Sequence, residues 1–288
     1  MVFFSSRSQM MTWKLHEPIQ VFIDGYHKVP KPFVQLVTLM GFFPNLKKAI
    51  PVISCLITKK TKDAYQRMFF RMDAIMREEF QEDNKFLNPK VVTIDFELAL
   101  IGAVESYWPE AQVQGCFVHF IRAQITNLRK LGFSKNENKK RNYQLITLIS
   151  LLAFIDSSKI KNLFYSIKIL SYFEDYESYF TYFENTWLNG NFPIGMWNSF
   201  NKLLKKTEYC EKLKHSNNTI ESFHSLLNFI LQKSAHPTMM EFAEAMKDIE
   251  AISKTNLNYY QNTAMVKVKN FEVQIIYIYR KLSLSVLM

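Results

Sequence analysis

The sequence has few of the residues that build disulfide frameworks, zinc fingers or membrane spans. Its three cysteines, Cys55, Cys116 and Cys210, are odd in number and widely spaced. They form no CxxC zinc pattern, and their number and spacing indicate a reducing compartment. The longest apolar candidate, residues 145–155, is interrupted by two hydroxyl side chains and falls short of the roughly 20 residues that cross a bilayer. We therefore expect no membrane partner.

The N-terminus also lacks the pattern of a secretory signal. The first seven residues contain no basic stretch followed by an apolar core. We expect an intracellular protein that is not secreted.

Acidic residues are scarce relative to basic ones. Of the 288 residues, 36 are Lys or Arg and 26 are Asp or Glu, which gives a net charge of +10. Hydrophobic residues make up 48% and charged residues 22%, which is too apolar for a disordered chain and too charged for a membrane bundle. The basic balance favours a polyanionic partner such as nucleic acid, although a basic surface can also serve solubility alone.

Glycine is nearly absent from one long stretch that has a helical apolar pattern. After the polar, basic loop at residues 134–141, the pattern is rich in Leu, Ile, Phe and Tyr and is broken only around Gly190 and Gly195. We predict that residues 134–215 form an all-helical insertion.

One stretch delivers an acidic residue to the end of a strand. The apolar run at residues 91–94 predicts a strand that stops on Asp95, and helical periodicity follows immediately. A second β-type run at residues 112–116 precedes a helix that starts at Cys116. Open α/β sheets place their chemistry at the carboxyl ends of strands, so Asp95 is a candidate site residue. The alternative is that Asp95 only caps the helix after it.

An earlier stretch has the same form. Residues 19–24 predict a strand that ends on Asp24, and the runs at residues 33–39 and 50–58 predict two further strands. Their short connections favour an antiparallel arrangement. Residues 62–80 show the clearest helical pattern, whereas residues 1–18 show no clear period and are predicted to be an irregular lead-in.

The third acidic candidate lies on a late helix. The helix that starts near Asn218 has Ile220, Phe223 and Leu227 on its apolar stripe and leaves Glu221 on another face. If this helix crosses the ends of the strands, Asp24, Asp95 and Glu221 converge, and such hard oxygen ligands suit Mg²⁺ or Mn²⁺. The alternative is a capping box between Asn218 and Glu221.

Four motifs follow one another between about Ile19 and about Leu231: Phe22-Ile-Asp24-Gly25, Thr93-Ile-Asp95-Phe-Glu97, Gly115-Cys116-Phe-Val-His119-Phe120 and Asn217-Asn218-Thr-Ile-Glu221-Ser-Phe-His224. In this order and at this spacing they resemble the transposases of Mutator-like elements, the MULE transposase domain.

The resemblance implies a ribonuclease-H-like α/β fold, a mixed sheet flanked by helices, with the helical insertion before the last catalytic helix. It also implies that Asp24, Asp95 and Glu221 are the catalytic residues and ligands of two divalent ions, Mg²⁺ or Mn²⁺. Four further residues are expected to be structural or close to DNA: Cys116, His119, Trp197 and His224. The alternative for Cys116 and His119 is a buried cysteine and a histidine at a helix start, and the alternative for Trp197 is simple core packing. The basic residues that we expect at DNA phosphates are Lys28, Lys31, Arg122, Arg129 and Lys130.

The implied domain layout places a first part of the ribonuclease-H-like core at residues 19–133 and the last core helix, which carries Glu221, at residues 216–235. A helical tail follows at residues 236–288. The chain departs from the family in having no N-terminal Cys/His cluster that could form a DNA-binding zinc finger. Tyr26 also stands where the family often has a small or hydroxylated residue.

The predicted function is a DNA transposase core that cuts and joins DNA at an element's ends in the nucleus, with its oligomeric state, a homodimer or higher, left open. Two alternatives remain. One is an inactive or domesticated copy that binds DNA or protein, and the other is a ribonuclease-H-like nuclease that acts on RNA.

Overall fold

The structure is a computed structural model that describes residues 1–46, 48–81, 87–134, 136–200, 218–232 and 236–262. The chain divides into two compact units, Met1–Ala251 and Ile252–Met288. Every feature described below belongs to the first unit, and the second contributes only the end of one helix to the described residues. Cys210 lies outside the described residues.

A six-stranded mixed sheet forms the centre of the first unit. Its strands are β1 (Val2–Phe4), β2 (Gln20–Tyr26), β3 (Gln35–Phe43), β4 (Lys48–Ile57), β5 (Val91–Ile94) and β6 (Gln112–Gly115), in the spatial order β1-β4-β3-β2-β5-β6. Strands β2, β3 and β4 pair antiparallel, as their short connections predict. Strands β5 and β6 run parallel to β2 because each follows a helical crossover.

The prediction that residues 1–18 are irregular is wrong. Val2–Phe4 pairs antiparallel with β4 at the sheet edge, and Arg7–His16 forms helix α1. The strand is too short to show a period, and only Met10 and Trp13 of the helix are buried, so neither element has a clear apolar pattern. The signal that would have revealed α1 is the capping box between Ser6 and Gln9.

Helices cover both faces of the sheet. On one face lie α2 (Lys62–Phe80), whose bounds match the prediction, and α3 (Leu98–Tyr107), which packs against it. On the other face, α9 (Asn218–Ile230) and the part of α10 (Met239–Asn262) that belongs to the first unit share a hydrophobic core with the strands. Phe22 of β2 and Ile220 of α9 belong to that core. Alternation along β2 puts Asp24 on the same face as Phe22, which is the face that α9 covers.

After the last strand, the chain continues through α4 into a helical region. Helix α4 (Phe117–Lys130) ends with Gly132 at a positive φ of 88°, and Phe133 donates a backbone hydrogen bond to the Leu128 carbonyl, which is a Schellman cap. The described helices that follow are α5 (Lys139–Leu152), α6 (Ser157–Lys168), α7 (Glu177–Phe183) and α8 (Ile194–Trp197), with a π-helical turn at Glu184–Leu188. The end of the predicted insertion, residues 201–215, lies outside the described residues.

A group of aromatic rings, which we call the aromatic junction, joins these helices to the sheet. Phe120 of α4 stacks on Trp197 with ring centroids 4.9 Å apart and meets Trp187 edge-on. Phe96, the residue after Asp95, packs edge-on against Trp187 at 4.7 Å. The junction therefore fixes the chain immediately after the carboxyl end of β5.

In the described part of the chain, no helix is both long and apolar enough to cross a membrane.

Gly115 at the end of β6 leaves room for the Phe96 ring, so we expect Gly115→Ala to destabilise the fold. An added Cβ would lie 2.3 Å from the ring, which forces the ring or the strand to move at a cost of about 1–3 kcal/mol. The free energy of unfolding from urea titrations measures this cost.

Gly102→Ala is the matched control, because its Cβ would meet Lys62 only at an ordinary 3.4 Å inside helix α3. We expect it to leave stability unchanged or raise it by up to about 1 kcal/mol. Equal effects of the two substitutions would contradict the packing role of Gly115.

Candidate active site

The register of β2 and β5 brings two aspartates side by side. Val21 pairs with Val92 and Phe22 with Thr93 in a parallel ladder, an offset of 71 residues. Asp24 and Asp95 each follow two residues after the pair of Phe22 and Thr93, so the same register sets them beside each other. Neighbouring strands lie roughly 4.8 Å apart. The two predicted carboxylates therefore meet at the carboxyl edge of the sheet, on the face covered by α9.

Asp24 is held in place but is poorly solvated. Only 7% of the residue is exposed. The Gly25 N–H donates to Oδ1 at 2.8 Å, and His224 Nδ1 lies 3.8 Å from Oδ2. Burial, together with the neighbouring charges of Asp95 and Glu221, raises the pKa of Asp24 to about 7. The free site thus lacks enough positive charge to balance its carboxylates.

Asp95 begins the turn into α3. Its Oδ1 accepts the Glu97 N–H at 3.1 Å, although the helix itself is capped by Glu97 without a side-chain bond. Asp95 therefore does not cap helix α3, as the alternative proposed, and only forms a local turn with Glu97. Burial raises the pKa of Asp95, while His119 and the Glu97 N–H oppose that rise.

Glu97 is a site residue that the sequence reasoning did not single out. Its carboxylate accepts the Tyr65 hydroxyl at 2.6 Å and pairs with Lys60 Nζ at 2.7 Å. These bonds tie the start of α3 to helix α2 and to the loop between β4 and α2. The signal that could have found it is a second acidic residue two positions after Asp95 at a strand end.

Glu221 reaches the site but is paired with a cation. Its two oxygens accept Arg122 Nη1 at 2.6 Å and Nη2 at 3.4 Å. Its charge contributes to the raised pKa of Asp24 and acts on His119. The carboxylate thus contacts α4, and the Asn218 side chain of the proposed capping box lies outside the described side chains.

The face of α9 that carries Glu221 also carries His224 and Asn228. His224 lies against Asp24, and Asn228 Oδ1 accepts Lys28 Nζ at 2.7 Å. Lys28, a predicted phosphate contact, is therefore engaged within the protein.

Two histidines with unpartnered nitrogens flank the aspartates. His119 Nδ1 and His224 Nε2 are buried and have no hydrogen-bond partner among the described residues. Burial lowers the pKa of His119 against the opposing charges of Asp95 and Glu221. Burial, His27 and His119 lower the pKa of His224 to about 4. The lowered pKa values favour the neutral form of both imidazoles, and each can still donate or accept one bond at its unpartnered nitrogen.

The donor types suit a hard divalent ion, but the described arrangement is not yet a closed ion site. Two adjacent aspartates with a deficit of positive charge are what Mg²⁺ or Mn²⁺ would neutralise. Within the described residues, however, no three His, Cys, Asp or Glu side chains are grouped so that they could hold an ion. The third carboxylate, Glu221, is engaged by Arg122. Asp24 and Asp95 are thus suited to bind an ion, and Glu221 could bind it only if its ion pair with Arg122 were broken.

The remaining predicted residues divide between core and surface. Cys116 is fully buried at the start of α4, and Trp197 is 1% exposed, with Nε1 donating to the Trp187 carbonyl at 3.0 Å. Both side chains are therefore buried in the core, which is the alternative that the sequence analysis gave for them. Lys31 and Arg129 are exposed.

A cleft of about 460 Å³ opens beside Asp95, and Arg122 and Lys130 line it. We call it the α4 cleft. The other lining residues are Phe96, Glu97, His119, Ala123, Thr126, Asn127 and Tyr182.

Residues 20–123 match the family model of the MULE transposase domain. The match runs from the start of β2 to the middle of α4 and contains Asp24, Asp95, Cys116 and His119. It ends before Glu221. No curated protein matches the chain. The match is to a transposase domain and agrees with the resemblance of the motifs.

We expect Asp24→Asn to stabilise the metal-free fold at pH 8. Asp24 keeps its proton in the folded state up to about pH 7, whereas the unfolded chain releases it near 3.8. The folded state binds more protons in this window, so stability falls as pH rises from about 4 to about 7 and the penalty is complete above it. Asparagine avoids this penalty, with an upper limit of about 4 kcal/mol.

Urea unfolding in EDTA between pH 4 and pH 8 measures this difference, which should shrink toward zero at the acidic end. Asp63→Asn, on the exposed surface of α2, is the control and should show no such pH-dependent gain. A gain from Asp24→Asn that is the same at both pH values would contradict the burial argument.

Proposed function

We propose that the chain is the catalytic core of a DNA transposase that hydrolyses a phosphodiester at an element's end and joins the freed strand to target DNA. The observation that carries the proposal is the parallel register of β2 and β5, which sets Asp24 beside Asp95 so that their charges interact, within the segment that matches the MULE transposase domain. The basic balance of the chain, +10, supports DNA as the partner.

The proposed roles follow from the contacts. Asp24 and Asp95 would hold divalent ions, with Glu221 as the third ligand once it leaves Arg122. Such ions, Mg²⁺ or Mn²⁺, would activate the attacking water and stabilise the leaving oxygen. Arg122 is half exposed, at 52% of its side chain, so a DNA phosphate could take the place of Glu221 on its guanidinium.

We propose a ribonuclease-H-like core, supported by a mixed sheet with helices on both faces. The helices between α4 and α9 would be the insertion before the last catalytic helix. A nuclear location would follow from the activity, and a dimer or higher oligomer would suit a reaction on two element ends.

Asp95→Asn should abolish Mg²⁺-dependent nicking of DNA while the protein stays folded. Loss of residues that merely orient a metal ligand costs tenfold to a hundredfold, so loss of a ligand should cost at least about a hundredfold. Nicking of supercoiled plasmid in Mg²⁺ or Mn²⁺ measures the activity, and circular dichroism melting checks the fold.

Asp63→Asn removes an acidic side chain from the surface of α2 and serves as the control, with activity expected to match the unmodified chain. Nicking by Asp95→Asn at the control's rate would refute the proposed chemistry.

One observation favours a second candidate, an inactive copy that binds DNA without cutting it. The Glu221 carboxylate is paired with Arg122, and the described residues contain no group of three side chains ready to hold an ion. DNA binding by the unmodified chain without nicking in Mg²⁺ or Mn²⁺ would favour this candidate. Preferential cleavage of RNA in a mixture of both substrates would instead favour the ribonuclease alternative.

A further inference from the structure

The α4 cleft has one wall built by a single face of α4. His119, Arg122, Ala123, Thr126, Asn127 and Lys130 line it at spacings of three and four residues. From His119 to Lys130 this face extends about 16 Å along the helix axis. Successive phosphates lie about 3.4 Å apart along a duplex axis and further apart in an extended single strand, so the wall matches at most about five nucleotides.

The cleft is acidic at one end and basic beyond it. Asp95 and Glu97 lie at the end that belongs to the candidate active site, whereas Arg122 and Lys130 lie along the α4 wall. A strand whose cut phosphate lies at Asp95 could therefore continue along α4 with its next phosphates near the two cations. Arg129 is adjacent in sequence and exposed but does not line the cleft.

The same wall carries polar atoms without partners. Asn127 Oδ1 and His119 Nδ1 are buried and make no hydrogen bond to any described residue. An unpartnered buried amide oxygen costs about 1–3 kcal/mol, and the Asn127 side chain would remove that cost by turning its amide toward a ligand in the cleft. An asparagine amide both donates and accepts, which suits the edge of a nucleotide base.

An aromatic ring lines the same space. Tyr182 borders the cleft, and its hydroxyl accepts a hydrogen bond from Trp187 Nε1 at 3.0 Å. That bond connects Tyr182 to the aromatic junction and fixes its hydroxyl end. A ring held in this way offers a stacking surface that any base can use.

We propose that the α4 cleft binds, as a single strand, the few DNA nucleotides next to the cleaved phosphodiester, and that Asn127 contacts a base there. The inference rests on the proposed function for the position of the cut, and it adds a strand path and a specificity-determining residue. Cations for phosphates, an aromatic ring and an unpartnered amide in one cleft favour nucleic acid over a peptide.

The first test compares two neighbouring basic residues. Fluorescence anisotropy with single-stranded DNA in EDTA, over a series of salt concentrations, measures binding without cleavage. Lys130→Ala should weaken binding and reduce the slope of log affinity against log salt by about one. Arg129→Ala, the matched control on the same helix, should have a clearly smaller effect. Equal effects, or no effect of Lys130→Ala, would overturn the proposed strand path.

The second test asks whether Asn127 contacts a base. Binding selection from a pool of randomised single-stranded DNA should enrich one base at a fixed position for the unmodified chain, and Asn127→Ala should reduce that preference by about tenfold. Asn162→Ala, an exposed asparagine on helix α6, should keep the preference. Absence of any enrichment by the unmodified chain, or full enrichment by Asn127→Ala, would overturn the base contact.

The two proposals can fail separately. Nicking by the unmodified chain combined with normal binding by Lys130→Ala and Asn127→Ala would remove the cleft inference and leave the transposase proposal standing. DNA binding that Lys130→Ala and Asn127→Ala weaken, without nicking by the unmodified chain, would remove the transposase proposal and leave the cleft inference standing. Tighter binding to RNA of the same sequence would overturn DNA as the occupant.

Discussion

The parallel pairing of β2 with β5 is the constraint on which the candidate site depends. It sets two acidic side chains next to each other at one edge of the sheet, where burial makes their charge costly. A protein gains nothing in stability from such a pair in the absence of a counter-ion. The cost is therefore itself an indication that the edge of the sheet serves binding or chemistry.

The aromatic junction packs that edge of the sheet against the helices that follow it. Phe96 follows Asp95 directly, packs on Trp187, and lies over Gly115 at the end of the neighbouring strand. Phe120 and Trp197 continue the same packing into α4. The helix that forms one wall of the cleft is thereby held at a defined position relative to the aspartates.

Arg122 links the two parts of the site. It contacts Glu221 on α9 and also lines the α4 cleft, so one guanidinium faces both the third carboxylate and the proposed path of a DNA strand. A cation in this position partly compensates the carboxylates in the free protein and is available to a phosphate in a complex. The pairing explains how a carboxylate predicted to bind an ion can be close to the site without forming part of an ion cage.

The sequence by itself determined the local elements and the acidic candidates. The apolar runs that stop on Asp24 and Asp95, and the apolar stripe of α2, are set by side-chain periodicity, which depends only on neighbours along the chain. The same reasoning missed β1 and α1, because a three-residue edge strand and a mostly exposed helix have almost no periodic pattern. The tertiary structure alone decided which strands became neighbours, that Glu221 pairs with Arg122, and that Lys130 but not Arg129 lines a cleft. These contacts join residues far apart in sequence, and they depend on how whole elements pack, which no local pattern records.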